Sequence, residues 1–154
     1  MESSEMPNGS LWRNLTSRER LVALAYCMAV AAVLGLASTL TPDERGLGTH
    51  EQLGLASCQM IRLFGIPCMF CGMTTTFVLM MHGAILDGIV NQPVGALIFL
   101  YSIISIILMG AFCISGKIPR RIGFHLVSGR VVIGALSILG MGWIYKLITH
   151  LMAV

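Results

Sequence analysis

Cys58-Gln-Met-Ile-Arg-Leu-Phe-Gly-Ile-Pro67-Cys68-Met-Phe-Cys71-Gly72-Met-Thr74-Thr75 is the stretch that decides the fold, because whether it crosses a bilayer fixes the number of spans. It carries three of the five cysteines, Cys68 and Cys71 as a Cys-x-x-Cys pair, beside Gly and Pro. The rest of the chain is mostly apolar: 56% of its 154 residues are hydrophobic and 11% are charged. A soluble domain carries about 25% charged residues, so lipid replaces water over much of this surface. The net charge of +3 is small. Basic residues flanking membrane helices explain it, and it gives no reason to expect nucleic acid as a partner.

Working outward, three apolar runs reach the roughly 20 residues that a spanning helix needs. They lie at about 21–40, 94–115 and 131–151. Residues 1–15 read as a polar tail and 16–154 as a single polytopic membrane domain, with the cysteine motif in 58–93. Thr16-Ser-Arg-Glu19 is a capping box opening the first span. That span follows Arg13, Arg18 and Arg20 and exceeds the roughly 7–15 apolar residues of a signal core, so it reads as an uncleaved signal anchor. Thr41-Pro42 stops it, and residues 41–57 read as a polar loop with one helical turn. From Cys71 to about Val90 the pattern is helical but interrupted by Thr74, Thr75, Thr76, His82 and Asp87. Asn91-Gln92-Pro93 then opens the second span. Residues 116–130 form a basic loop. In the last span Gly134, Ser137, Gly140 and Gly142 either permit close helix packing in lipid or are ordinary membrane-helix residues.

Charge settles the fate of the motif. The basic N-terminal flank and the basic loop both belong on the cytoplasmic side. A motif helix that crossed fully would carry Lys117, Arg120 and Arg121 to the other side. The expected fold is therefore an all-α membrane protein with about three transmembrane helices. A short interfacial or re-entrant helix carries the Cys-x-x-Cys on the outer face, with the N-terminus in the cytoplasm.

With Pro67 just ahead of a helix started by Cys68, a 100° step puts Cys68, Cys71, Thr75 and His82 on one stripe. A helix N-terminus favours thiolate, and Cys58 in the preceding loop is a third thiol able to shuttle or resolve a mixed disulfide. Three other chemistries stay open. Cys58, Cys68 and Cys71 with His50 or His82 are a Cys3His set for zinc. A Cys58–Cys68 or Cys58–Cys71 disulfide would pin the loop, or the thiols are inert. Gly72 after Cys71 excludes a c-type haem site. Thr74, Thr75, His82, Asp87 and Asn91 are the polar side chains placed to bind something here. Cys27 and Cys113 read as packing residues within spans.

Residues 58–93 resemble the small bacterial membrane proteins grouped as domain of unknown function 2752. The matching residues are Cys58, Gly65, Cys68, Cys71, Gly72, Thr74 and Gly83, with Asn91-Gln-Pro93 for the family's Asn-Pro. Two positions depart: Pro67 precedes Cys68 instead of following it, and Thr75 stands where the motif has Arg. More locally, the pair resembles that of DsbB-type disulfide oxidases and vitamin K epoxide reductase-like proteins. The DsbB resemblance implies thiol oxidation with quinone as cofactor, although the arginine of that family is again Thr75 here. The reading of the chain is a scaffold or accessory subunit of a bacterial inner-membrane complex, in contact with lipid and with other subunits or its own copies. The alternative is a membrane thiol-disulfide oxidoreductase using Cys68 and Cys71.

Overall fold

The structure, a computed structural model, describes residues 12–119 and 129–152, with side chains from 133 onward in the second segment. Arg120 and Arg121 of the basic loop and residues 1–11 of the tail lie outside it. In chain order the elements are β1 (Trp12–Asn14), α1 (Ser17–Thr39), a 3-10 turn (Thr49–Leu53), α2 (Gln59–Phe64) and α3 (Met73–Met81). They continue with α4 (Ile85–Asn91), α5 (Pro93–Ser115), β2 (Lys117–Pro119) and α6 (Gly129–Met152). Three helices, over Ser17–Thr39, Pro93–Ser115 and Ile133–Met152, are long and apolar enough to cross a membrane. A 23-residue helix reaches about 35 Å at 1.5 Å per residue, enough for a hydrocarbon core of about 30 Å. The chain is a multi-pass membrane protein, and exposed Leu24, Val33, Ile104, Ile107, Leu136 and Ile148 are its lipid-facing side chains.

Local chemistry sets the helix ends. The Glu19 N–H donates to Thr16 Oγ1 at 3.3 Å, and the Thr16 N–H donates to the Glu19 carboxylate at 2.9 Å, which is the expected capping box. Arg13 adds a bidentate pair to the same carboxylate. Pro93, which lacks an N–H that a first helical residue would leave unpaired, opens α5. β1 pairs antiparallel with β2, Arg13 opposite Ile118, and the Leu15 N–H donates to the Gly116 carbonyl at 3.0 Å. This ribbon fastens the start of α1 to the end of α5, so the two spans run antiparallel with their basic flanks on one membrane face. Tyr26 and Ser105 hydrogen-bond between them at 2.7 Å.

On the opposite face α3 and α4 form a hairpin that enters the protein and returns. Val78 of α3 packs with Ala37 and Leu40, and two residues further along Met80 packs with Leu34, Ala96 and Phe99. The Phe77 and Phe99 rings meet edge to face at 5.4 Å. The chain reverses at His82–Ala84, and α4 climbs back to the start of α5. At 1.5 Å per residue α3 goes in by about 13 Å and α4 returns by about 10 Å, well short of crossing. The motif segment is thus the short, non-crossing helix expected at the interface or as a re-entrant segment. Lipid supplies no hydrophobic drive between helices, so van der Waals fit and polar contacts hold such a hairpin. Here Asn91 Nδ2 closes its base by donating to the Gly72 carbonyl at 3.0 Å and Thr76 Oγ1 at 2.9 Å.

α6 completes the bundle by its C-terminal half. Trp143 Nε1 donates to the Pro67 carbonyl at 2.9 Å and the Tyr145 hydroxyl to the Val90 carbonyl at 2.6 Å. Of the glycines expected to bring helices together, Gly142 does so: a Cβ there would collide with Val94 Cγ2 and lie 3.1 Å from its Cβ. Gly134 and Gly140 have no neighbour within 4 Å. Gly142→Val should therefore loosen α6 from α5 at a cost of about 1–3 kcal/mol, the usual range for overpacking. Red-shifted Trp143 emission and a lower melting temperature in detergent would report it, whereas Gly134→Val should change neither.

Candidate functional site

Cys68 and Cys71 are the two ends of a tight turn, and this differs from the expected helix start. The Cys71 N–H donates to the Cys68 carbonyl at 3.1 Å, and the Met73 N–H to that of Phe70 at 3.1 Å. Gly72 then takes the left-handed conformation, φ +83°, which only glycine adopts without strain. Helical geometry starts after it, at Met73, and so the stripe of Cys68, Cys71, Thr75 and His82 does not form. Gly72 is also boxed in: a Cβ would lie 2.7 Å from the Gly46 carbonyl and 3.1 Å from Lys146 Nζ.

The turn presents both thiols to Cys58, the residue that precedes α2. Sγ of Cys68 lies 3.5 Å from Sγ of Cys71, and all three sulfurs lie within 4.8 Å of one another. They border a cavity of about 250 Å³ shared with Gly48, His50, Phe70 and Thr74. Of the two histidines considered as ligands, His50 lines this cavity. Its Nε2–H donates to the Ala56 carbonyl at 3.3 Å, which leaves the lone pair of the neutral ring on Nδ1. His82 lies at the other end of α3, where Nδ1–H donates to the Val78 carbonyl at 2.8 Å. Asp87 is exposed on α4, also away from the thiols.

Two threonines lock the frame. Thr75, at the motif's arginine position, is 1% exposed and shares a 2.8 Å hydrogen bond with Thr49, itself 0% exposed. Thr49 Oγ1 also accepts from the Asp43 N–H at 3.1 Å, so α3, the 3-10 turn and the preceding loop are pinned together. Arg45 folds over this loop onto Asp43 and Glu51, and its hydrogen bonds hold the Asp43 carboxyl below the usual carboxylate range.

One residue in this site escaped the sequence reading. Lys146 of α6 is 6% exposed, and its Nζ donates to the Gly46 carbonyl (3.1 Å), the Asn91 carbonyl (3.3 Å) and Asn91 Oδ1 (2.8 Å). Among the described residues no carboxylate pairs with it, and its Nζ lies against Gly72, the residue after Cys71. The available signal was a lone cation inside an apolar span, a costly placement that marks either structure or function. Thus the position where the motif has Arg is a buried threonine, while a cation arrives beside Cys71 from another helix.

The thiols are unequal. Burial pushes Cys58 up, but the Ile61 amide and the neighbouring thiols of Cys71 and Cys68 outweigh it and bring Cys58 down to about 7. The Ile61 contact falls short of a full capping bond. Burial, reinforced by hydrogen bonding to Cys58, pushes Cys71 up to about 12. Because thiolate is the reactive form, alkylation of Cys58 in reduced, EDTA-treated protein should accelerate as pH rises through about 7 and level off above it. Cys71 should stay protected throughout the neutral range. Peptide mass spectrometry after timed iodoacetamide pulses reads both, and equal rates at the two positions would contradict the asymmetry.

No curated protein and no solved structure matches the chain. A family model described as a protein of unknown function (DUF2752) matches residues 58–106, which take in the three thiols, the re-entrant hairpin and the first half of α5. Over that segment the chain is similar to the DUF2752 family, the one its cysteine motif resembles.

Proposed function

We propose that this protein is a small accessory subunit of a bacterial inner-membrane complex, with its N-terminus in the cytoplasm and its thiol loop on the outer face. Arg13, Arg18, Arg20 and Lys117 all flank one face of the bundle, and the positive-inside rule assigns that face to the cytoplasm. The observation that carries the subunit reading is the tip of the re-entrant hairpin. His82 and Gly83 are exposed there at the packing depth of Met80 and Phe99, and Asp87 is exposed one turn along α4. Polar side chains and non-helical backbone at such depth are stable only when covered by protein or water. Another membrane helix, from a partner or a second copy, meets that need.

Purification in mild detergent should then recover the chain with other membrane proteins or as an oligomer. The double variant His82→Leu, Asp87→Leu should reduce recovery of the assembly roughly tenfold, the effect of losing about 1.4 kcal/mol of interhelical polar contact, with helix content unchanged. A free monomer from lipid nanodiscs sinks the reading.

The 3.5 Å contact of Cys68 with Cys71 favours a second reading, a membrane thiol oxidoreductase. As the pair closes to a disulfide, two electrons and two protons pass to a quinone-class acceptor, and Cys58 resolves mixed disulfides with a client protein. Impermeant maleimide on intact cells would then find the pair in both thiol and disulfide forms, and a Cys68→Ala, Cys71→Ala variant would shift the disulfides of other envelope proteins. A pair held in one state under every growth condition removes this reading.

A further inference from the structure

The turn geometry, the third thiol and the buried cation together point to a metal centre. We propose that Cys58, Cys68 and Cys71 bind one thiophilic, closed-shell cation, with Zn2+ as the reference ion, and that Lys146 balances the charge of the resulting centre. This stands apart from the subunit reading and is tested separately.

Convergence is the first support. Three thiolates around a tetrahedral zinc at a Zn–S distance of about 2.3 Å stand about 3.8 Å apart. The observed sulfurs, 3.5 Å apart for Cys68 and Cys71 and all within 4.8 Å, bracket that figure.

The second support is the backbone. A tight turn with Cys at both ends, stopped by a left-handed Gly72, aims two sulfurs to one side. A helix-start pair of the kind expected from sequence would instead place its first thiol on the helix end. The thiols also open onto the 250 Å³ cavity lined by His50, which gives the fourth position either an imidazole of suitable tautomer or water.

Charge is the third support. Binding releases up to three protons to solvent, Zn2+ replacing them, and leaves a centre of net charge −1. Such a charge at the edge of lipid needs a counter-ion. Lys146 lies against Gly72, next to Cys71, with only neutral oxygens as hydrogen-bond acceptors and no carboxylate partner among the described residues. An ammonium group so placed is unbalanced beside neutral thiols and balanced beside a tris-thiolate centre.

The test is metal analysis of the full chain purified in detergent under reducing conditions without chelator, then reconstitution with Zn2+ alone and with Co2+ alone. About one zinc per chain is expected, together with an intense sulfur-to-cobalt charge-transfer band in the cobalt form. Cys58→Ser should lower zinc retention against a competing chelator at least tenfold. Cys27→Ser and Cys113→Ser, which alter thiols inside spans, should retain it fully and control for folding. Wild-type protein that has three reduced thiols yet takes up neither ion overturns the proposal. So does a Cys68–Cys71 disulfide that persists without metal, which would make the pair a structural staple. Neither outcome bears on whether the hairpin tip has a partner, so the two readings fail independently.

Discussion

A single ammonium group holds together the part of the molecule that matters. Through the Gly46 carbonyl, the Asn91 carbonyl and Asn91 Oδ1, Lys146 fastens α6 to the loop after α1 and to the base of the hairpin. Asn91 passes the constraint on, since its Nδ2 donates to Gly72 and Thr76. Pulling a cation out of water is expensive, and three neutral oxygens offset only part of that cost. Loss of the amine would strand buried acceptors at roughly 1–3 kcal/mol each. The position of Gly72, and with it that of Cys71, depends on a residue 74 positions away from the glycine in sequence, a separation fixed by Lys146 and Gly72 themselves.

The re-entrant hairpin is built by matching its polar groups before it meets lipid. Thr75 pairs with Thr49, Thr76 with Asn91, and Thr49 also with the backbone of Asp43. Those side chains, which make the segment too polar for a lipid-exposed span, are the ones turned inward. The apolar side chains on the same helix, Phe77, Val78 and Met80, fill the gap between α1 and α5. A helix of nine residues would not be stable alone. Tertiary packing on both sides stabilises it.

Much of the architecture was legible because it rests on long-range averages or strong local signals. Three apolar runs long enough for a bilayer read directly as α1, α5 and α6. Thr16 with Glu19, and Pro93 after Gln92, announced two helix starts that the structure reproduces. The failure at Cys68 has a local cause. Periodicity cannot reveal that Gly72 will be left-handed, and that one dihedral moves the helix start to Met73 and takes the thiols off its face. His82 was legible as unusual but not as remote, because the reversal at Gly83 separates it from the cysteines. Lys146 was overlooked because its partners are mainly backbone carbonyls, which no side-chain pattern records.

Placement of the thiols follows from the same constraints. A cluster of ionisable sulfurs is costly in hydrocarbon, so it belongs at the mouth of the hairpin, and α3 carries the chain from there to the hairpin tip. The helix is nine residues long, a rigid rod of about 13 Å, with Gly72 at one end and His82 at the other. Its sides are fixed by Phe99, Leu34 and Ala37. Displacement of His82 along the rod axis would therefore displace Gly72 and Cys71, against the resistance of Asn91 and Lys146. The polar tip and the thiol turn thus lie at opposite ends of one nine-residue helix.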